Sequence, residues 1–307
     1  MIRLGGGMGI QKASDNPYEN GKNQKQFAES DPYEIARAHK KFGYSAAFCP
    51  AVSMNDMARI KEIREAFELE DVMIAEVGAW RNLIDQDLQR RQQNLDFVCD
   101  KLAAAEEVGA KCCVDFIGSI LSNENKGLPM LPFDPHPFNL SEEGFELTVE
   151  TVRNIIDAVK PKRTKFALEF MQWQLPDSAE SCLELIRAVD RPQFAAHMDP
   201  CNIILTPRQY FDNGALIRNA FQLLGPYIVS CHAKDLHMRS QLALHLDEVI
   251  PGKGVLDYRT FLTEIDKLPG QIPLLLEHLN ISEEYAQGRD YIVSVGRDVG
   301  VNFYSYS

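Results

Sequence analysis

Short apolar runs alternate with longer amphipathic segments along most of the chain. Residues 2–6 predict a first strand, and the polar stretch at 11–27 predicts a loop. Asp31-Pro32 opens a helix, with Asp31 as N-cap and Pro32 at the first helical position. Residues 44–49 predict a second strand, 54–69 a helix, and 72–77 a third strand. A long helix at 88–109 ends on Gly109, and 111–117 follows as a fourth strand. Residues 118–139 carry Pro129, Pro132, Pro135 and Pro137 and form a long loop between the fourth strand and its helix, a length common among lids and binding loops.

Ser141 and the acidic turn after it start a helix that runs to 159. Strands at 166–170, 193–198, 228–233 and 273–277 then alternate with helices at about 178–189, 207–223, 257–267 and from 282, with 236–250 as a further loop. Eight strand-helix units without paired hairpins predict parallel strands joined by helical crossovers. The expected fold is therefore α/β, a (β/α)8 TIM barrel forming a single domain over residues 1–307. An open doubly wound sheet would announce a glycine-rich turn that opens a helix. Gly5–Gly9 leads into a loop instead.

Alternate strand residues face opposite sides. That parity groups Ala167 with Glu169, Ala195 with His197 and Asp199, Ser230 with His232, and Leu275 with Glu277. Phe166, Leu168, Phe170, Phe194, Met198, Val229, Cys231, Leu274 and Leu276 fall on the helix side, and His278 follows them as a core or interface histidine. Glu169, Asp199, His232 and Glu277 thus face the barrel axis at the carboxyl ends of four successive strands, where barrel enzymes keep their sites. Two Glu, one Asp and one His make an oxygen-rich, thiol-free donor set for one divalent ion: manganese first, with magnesium, cobalt or zinc as alternatives. His197 lies one layer deeper, as a substrate hydrogen-bond donor or a buried partner behind the ligands. Lys234 continues the inward parity and suits an oxyanion partner. Asp235 and Arg239 are further substrate-contact candidates, and Trp173 and Trp80 can supply apolar walls for a sugar ring.

Composition narrows the partners. The 307-residue chain carries a net charge of −12, which argues against a nucleic-acid backbone or an anionic membrane surface. No apolar run approaches bilayer length, and the N-terminus lacks the pattern of a secretion signal, so a cytoplasmic location is expected. The seven cysteines show no Cys-x-x-Cys pair and are expected to be mostly small buried hydrophobes.

The segments Ala-Glu-Val-Gly-Ala-Trp (75–80), Leu-Glu-Phe (168–170), His-Met-Asp-Pro (197–200), His-Ala-Lys-Asp (232–235), Pro-Gly-Lys-Gly-x-x-Asp-Tyr (251–258) and Leu-Leu-Glu-His (275–278) resemble the xylose isomerase-like TIM barrel superfamily, the sugar phosphate isomerase/epimerase group. The resemblance implies one divalent metal on Glu169, Asp199, His232 and Glu277, with the two glutamates also exchanging the substrate proton. It further implies a small sugar-like substrate and a homo-oligomer. Two positions depart from the pattern. Asn202 stands where the epimerases and endonuclease IV carry a histidine, and Phe-Cys-Pro (48–50) and Val-Gly-Ala-Trp (77–80) lack the nuclease's extra metal-binding histidines. The expected function is a metal-dependent isomerase or epimerase of a sugar or related polyhydroxy carbonyl compound. The alternatives are a lyase on an inosose or 3-oxo-glycoside, and a non-catalytic carbohydrate-binding barrel.

Overall fold

Eight parallel strands hydrogen-bond side to side until the last meets the first. The computed structural model describes residues 1–8, 31–121 and 134–304, so the loop predicted at 11–27 and the middle of the one at 118–139 lie outside the described residues. In chain order the elements are β1 (Ile2–Gly6), α1 (Pro32–Lys41), β2 (Ala46–Phe48), α2 (Met57–Leu69), β3 (Met73–Gly78), α3 (Leu88–Val108), β4 (Cys112–Asp115), α4 (Glu142–Val159), β5 (Lys165–Leu168) and α5 (Ala179–Val189). There follow β6 (Phe194–Met198), α6 (Pro207–Phe211), α7 (Asn213–Leu224), β7 (Ile228–Ala233), β8 (Asp235–Met238), β9 (Leu246–Val249), α8 (Tyr258–Asp266), β10 (Ile272–Leu276) and α9 (Ser282–Val299). The barrel closes in the order β1-β10-β7-β6-β5-β4-β3-β2, a (β/α)8 barrel.

Local chemistry sets the helix starts. Asp31 accepts a hydrogen bond from the Tyr33 backbone, Asp87 from Gln89 and Arg90, and Ser141 from Gly144; each satisfies a backbone N–H that the helix leaves free. Two predicted elements differ. The helix expected over 207–223 is two, α6 and α7, because Asp212 between them adopts φ −129° and ψ 46°. The loop expected at 236–250 contains the antiparallel hairpin β8–β9, in which Asp235 pairs with Val249 and Met238 with Leu246.

The main core lies between strands and helices, where Phe166, Leu168, Phe170, Phe194, Met198, Cys231, Leu274 and Leu276 pack as parity placed them. Ala46, Ala75 and Leu275 form a separate interior cluster. Gly5 belongs to this narrow layer, since a Cβ there would sit 2.2 Å from the Ala46 carbonyl oxygen and 2.7 Å from a Leu275 methyl. At the amino end of the barrel, buried Arg3 donates to the Ser45 and Asp71 carbonyls and pairs with the Asp71 carboxylate at 2.9 Å, joining β1 to the turn before β3. Gly5→Ala should therefore overpack the interior and lower unfolding free energy by about 2–3 kcal/mol in urea denaturation. A loss below about 0.5 kcal/mol would mean that the interior has slack that these distances exclude.

Candidate metal centre

Glu169 and Glu277 each stand one residue past the end of a strand, Asp199 directly follows β6, and His232 lies near the end of β7. Inward parity carries through these strand ends, and the four side chains offer ligand atoms that all lie within 4.8 Å of one another. His232 Nδ1 is 2.8 Å from Glu277 Oε1, 3.4 Å from Glu169 Oε1 and 3.8 Å from Asp199 Oδ2. Lys234, also buried, places Nζ 2.6 Å from Glu277 Oε1 and 2.9 Å from Asp199 Oδ2.

These approaches are ion-pair distances without hydrogen-bond directionality. Asp199 Oδ2, His232 Nδ1 and Glu277 Oε1 are buried and have no hydrogen-bond partner. Three unsatisfied buried ligand atoms at one point are costly unless something meets them together. A divalent cation fits that description, and three carboxylates with one imidazole suit a hard or borderline ion.

Behind the ligands lies Glu76. Its Oε2 is 3.1 Å from His232 Nε2 and its Oε1 is 2.9 Å from His197 Nε2, while Ser230 donates to Oε1. With Glu76 accepting a hydrogen bond from the Nε2–H of His232, Nδ1 is the nitrogen left for a metal. His197 is thereby the buried partner behind the ligands, its ring 4.1 Å from that of His232 and fully buried. Strict alternation would have placed Glu76 with Val72 and Ile74 on the helix side. The pairing Ala47↔Ile74 followed by Phe48↔Glu76 skips Ala75, and this bulge turns Glu76 inward. The sequence signal was a carboxylate inside an otherwise apolar strand, which demands a buried partner.

Electrostatics follow from the crowding. Burial alone would make Glu277 harder to ionise, but His232, Lys234 and His278 outweigh it and hold the carboxyl well below its usual range. Burial opposes charge on Lys234 too, yet Asp199, Glu277, Glu169 and Glu248 push it well above the ordinary lysine value. Glu169 is likewise lowered against burial, chiefly by His232. Its Oε1 accepts from Asn202 Nδ2 at 3.0 Å, so the residue that departs from the epimerase pattern braces a ligand.

The remaining candidates scatter. Asp235 accepts from the backbone N–H groups of Leu236, Gly252, Gly254 and Leu256, so it pins the loop before α8 and spends its oxygens on backbone. Arg239 is 54% exposed and pairs with Asp247 across the β8–β9 hairpin. Trp173, half-buried after β5, accepts from Asn139 through its carbonyl. His278 corrects the parity expectation: it is 56% exposed, with φ +58°, and it pairs with Glu248 at 2.7 Å. β10 ends at Leu276, and the left-handed residue breaks the alternation.

The profile of the family described as xylose isomerase-like TIM barrel matches residues 35–295. The chain belongs to the xylose isomerase-like TIM barrel family. No curated protein sequence matches it. Among solved structures, a xylose isomerase-like TIM barrel protein from Mycobacterium smegmatis in complex with magnesium is similar at a TM-score of 0.65 and 16% identity, covering 97% of both chains. The 3-keto-D-glucoside 4-epimerase from E. coli gives 0.61 and 13%, covering 96% of this chain and 100% of the other. D-psicose 3-epimerase from Clostridium cellulolyticum H10, with D-tagatose, gives 0.61 and 14%, covering 89% and 95%. At these identities the likeness establishes the barrel. Within this family frame Glu76 makes a specific claim. Glu76→Gln should weaken divalent-metal affinity about 10–100-fold by calorimetric titration, because a neutral amide no longer fixes the His232 proton. Unchanged affinity would reduce Glu76 to packing.

Proposed function

We propose that the chain is a divalent-metal-dependent isomerase or epimerase of a sugar or related polyhydroxy carbonyl compound. The observation that carries this reading is the convergence of Glu169, Asp199, His232 and Glu277 within 4.8 Å at the carboxyl end of the barrel. These four would hold the metal. Manganese is the ion their oxygen-rich set favours, with magnesium, cobalt or zinc as alternatives. When bound it would supply Lewis acidity to a carbonyl oxygen and the hydroxyl beside it.

The protein's own groups do the proton work. Glu169 and Glu277 converge on one point, so the ionised one can take a proton from the carbon next to the carbonyl while the other, entering the turnover protonated, gives one back, the two exchanging protonation states. Lys234 brings a buried ammonium to the same carboxylates and can stabilise the oxyanion that forms. The fold likeness to two sugar epimerases and to a magnesium-bound barrel supports this reading. A lyase on an inosose or 3-oxo-glycoside is the second reading. Lys234 favours it, because an ammonium 2.6 Å from Glu277 can also protonate a departing β-substituent.

Incubating metal-loaded protein in D2O with ketoses, inososes and 3-oxo-glycosides should place deuterium on the carbon beside the carbonyl. Glu277→Gln should slow that exchange about 10²–10⁴-fold while retaining some metal. Wild-type exchange in that variant would remove Glu277 from proton transfer. A product of lower mass would favour the lyase, and protein that neither retains metal nor exchanges would leave a non-catalytic carbohydrate-binding barrel.

A further inference from the structure

Each carboxylate of the cluster turns one oxygen into it. Asp199 gives Oδ2, while its Oδ1 accepts from the Cys201 backbone N–H at 3.0 Å. Glu277 gives Oε1, and its Oε2 lies 3.7 Å from His278 Nε2. Glu169 gives Oε1, which stands 3.4 Å from His232 Nδ1 and 3.7 Å from Lys234 Nζ. Among the described residues no hydrogen bond reaches Glu169 Oε2, yet it is not one of the buried atoms left without a partner. It is therefore the oxygen of Glu169 that solvent, and a substrate, can reach.

Asn202 is what sorts these two oxygens. It lies in a single turn, Pro200–Ile203, that directly follows Asp199 and is capped by it. From there its Nδ2 donates to Glu169 Oε1 at 3.0 Å and to the Phe170 carbonyl at 3.1 Å. Both partners can only accept, so the NH2 group and not the amide oxygen must face them. One amide thus holds the side chain of Glu169 and the backbone of the residue after it. Without that bond a glutamate on its flexible stem can bring one oxygen or both to a cation. With it, the plane of the carboxylate is set and the second oxygen stays outside the cluster. A histidine, which the epimerase pattern carries at this position, presents a single N–H on each ring edge and cannot make both bonds from one atom.

We infer that Asn202 is a positioning residue for proton transfer at Glu169. Its amide keeps Oε1 on the ligand side and holds Oε2 toward the substrate. In the step, the C–H bond beside the carbonyl breaks, its proton forms an O–H bond on Oε2, and the electron pair passes into the carbonyl to give an enolate. The inference rests on the isomerase reading for that proton, whereas the clamp on Glu169 exists whether or not anything turns over.

The test compares full-length wild-type, Asn202→Ala and Asn202→His proteins. With metal bound and the ketose, inosose and 3-oxo-glycoside panel in D2O, Asn202→Ala should lower kcat for deuterium incorporation about 10–100-fold, the cost of a small misplacement of a reacting group. KM, and Mn2+ affinity by calorimetric titration, should stay close to wild type. Asn202→His keeps one of the two bonds at most and should also fall below wild type in kcat. A kcat loss that only follows loss of metal, no loss at all, or wild-type turnover in Asn202→His would overturn the positioning role. Crystal structures of the wild-type and Asn202→Ala proteins separate this from failure of the isomerase reading. A Glu169 carboxylate that leaves its place in Asn202→Ala supports the clamp even where nothing in the panel exchanges, and an unmoved carboxylate overturns it.

Discussion

Three carboxylates held at one point inside a protein repel one another, and the rest of the site is arranged around that repulsion. At about 4 Å and an effective dielectric near 20, a like-charged pair costs on the order of 4 kcal/mol. Lys234 and His232 offset part of this, each drawn well above its ordinary pKa by neighbouring carboxylates despite burial. The partnerless atoms of Asp199, His232 and Glu277 show that the compensation is electrostatic and not directional. A divalent ion would supply both charge and geometry, a demand that the cluster's own cations meet only in part.

The barrel makes such a cluster buildable. Parallel strands joined by helices bring their carboxyl ends to one rim, and small residues, Gly5, Ala46 and Ala75, let neighbouring strands approach closely. Support reaches the ligands from both depth and rim. Glu76, Ser230 and His197 brace His232 from below. From above, the β8–β9 hairpin sends Glu248 to within 3.5 Å of Lys234 and 2.7 Å of His278. A connection that carries no barrel strand therefore takes part in balancing the charge of the centre.

Much of this could be read from residue order. Glu169, Asp199, His232 and Glu277 fell on one face because strand periodicity is two, and buried strands must turn bulky residues such as Phe166 and Leu274 toward the helices. Periodicity failed wherever the backbone left regular geometry. The skipped pairing at Ala75 hid Glu76, and the left-handed His278 left the helix side that alternation assigned to it. Asp235 and Arg239 sit in a loop-like sequence whose polar side chains gave no sign of their partners. Only the fold shows that Asp235 collects four backbone donors and that Arg239 faces Asp247 across a hairpin.

Strain and unmet polarity are concentrated at the carboxyl ends of the strands. The carboxylate cluster holds three ligand atoms without a hydrogen-bond partner, and beyond β3 Trp80 stands at φ +37° with Asp115 fixing the backbone beside it. Asp115 is itself buried with one oxygen unpartnered, and burial pushes its carboxyl well above the usual range. Asp115 thus holds the backbone at Arg81 and Phe116 through Oδ1 while its Oδ2 stays buried without a partner, a local cost that the fold carries at the ends of β3 and β4.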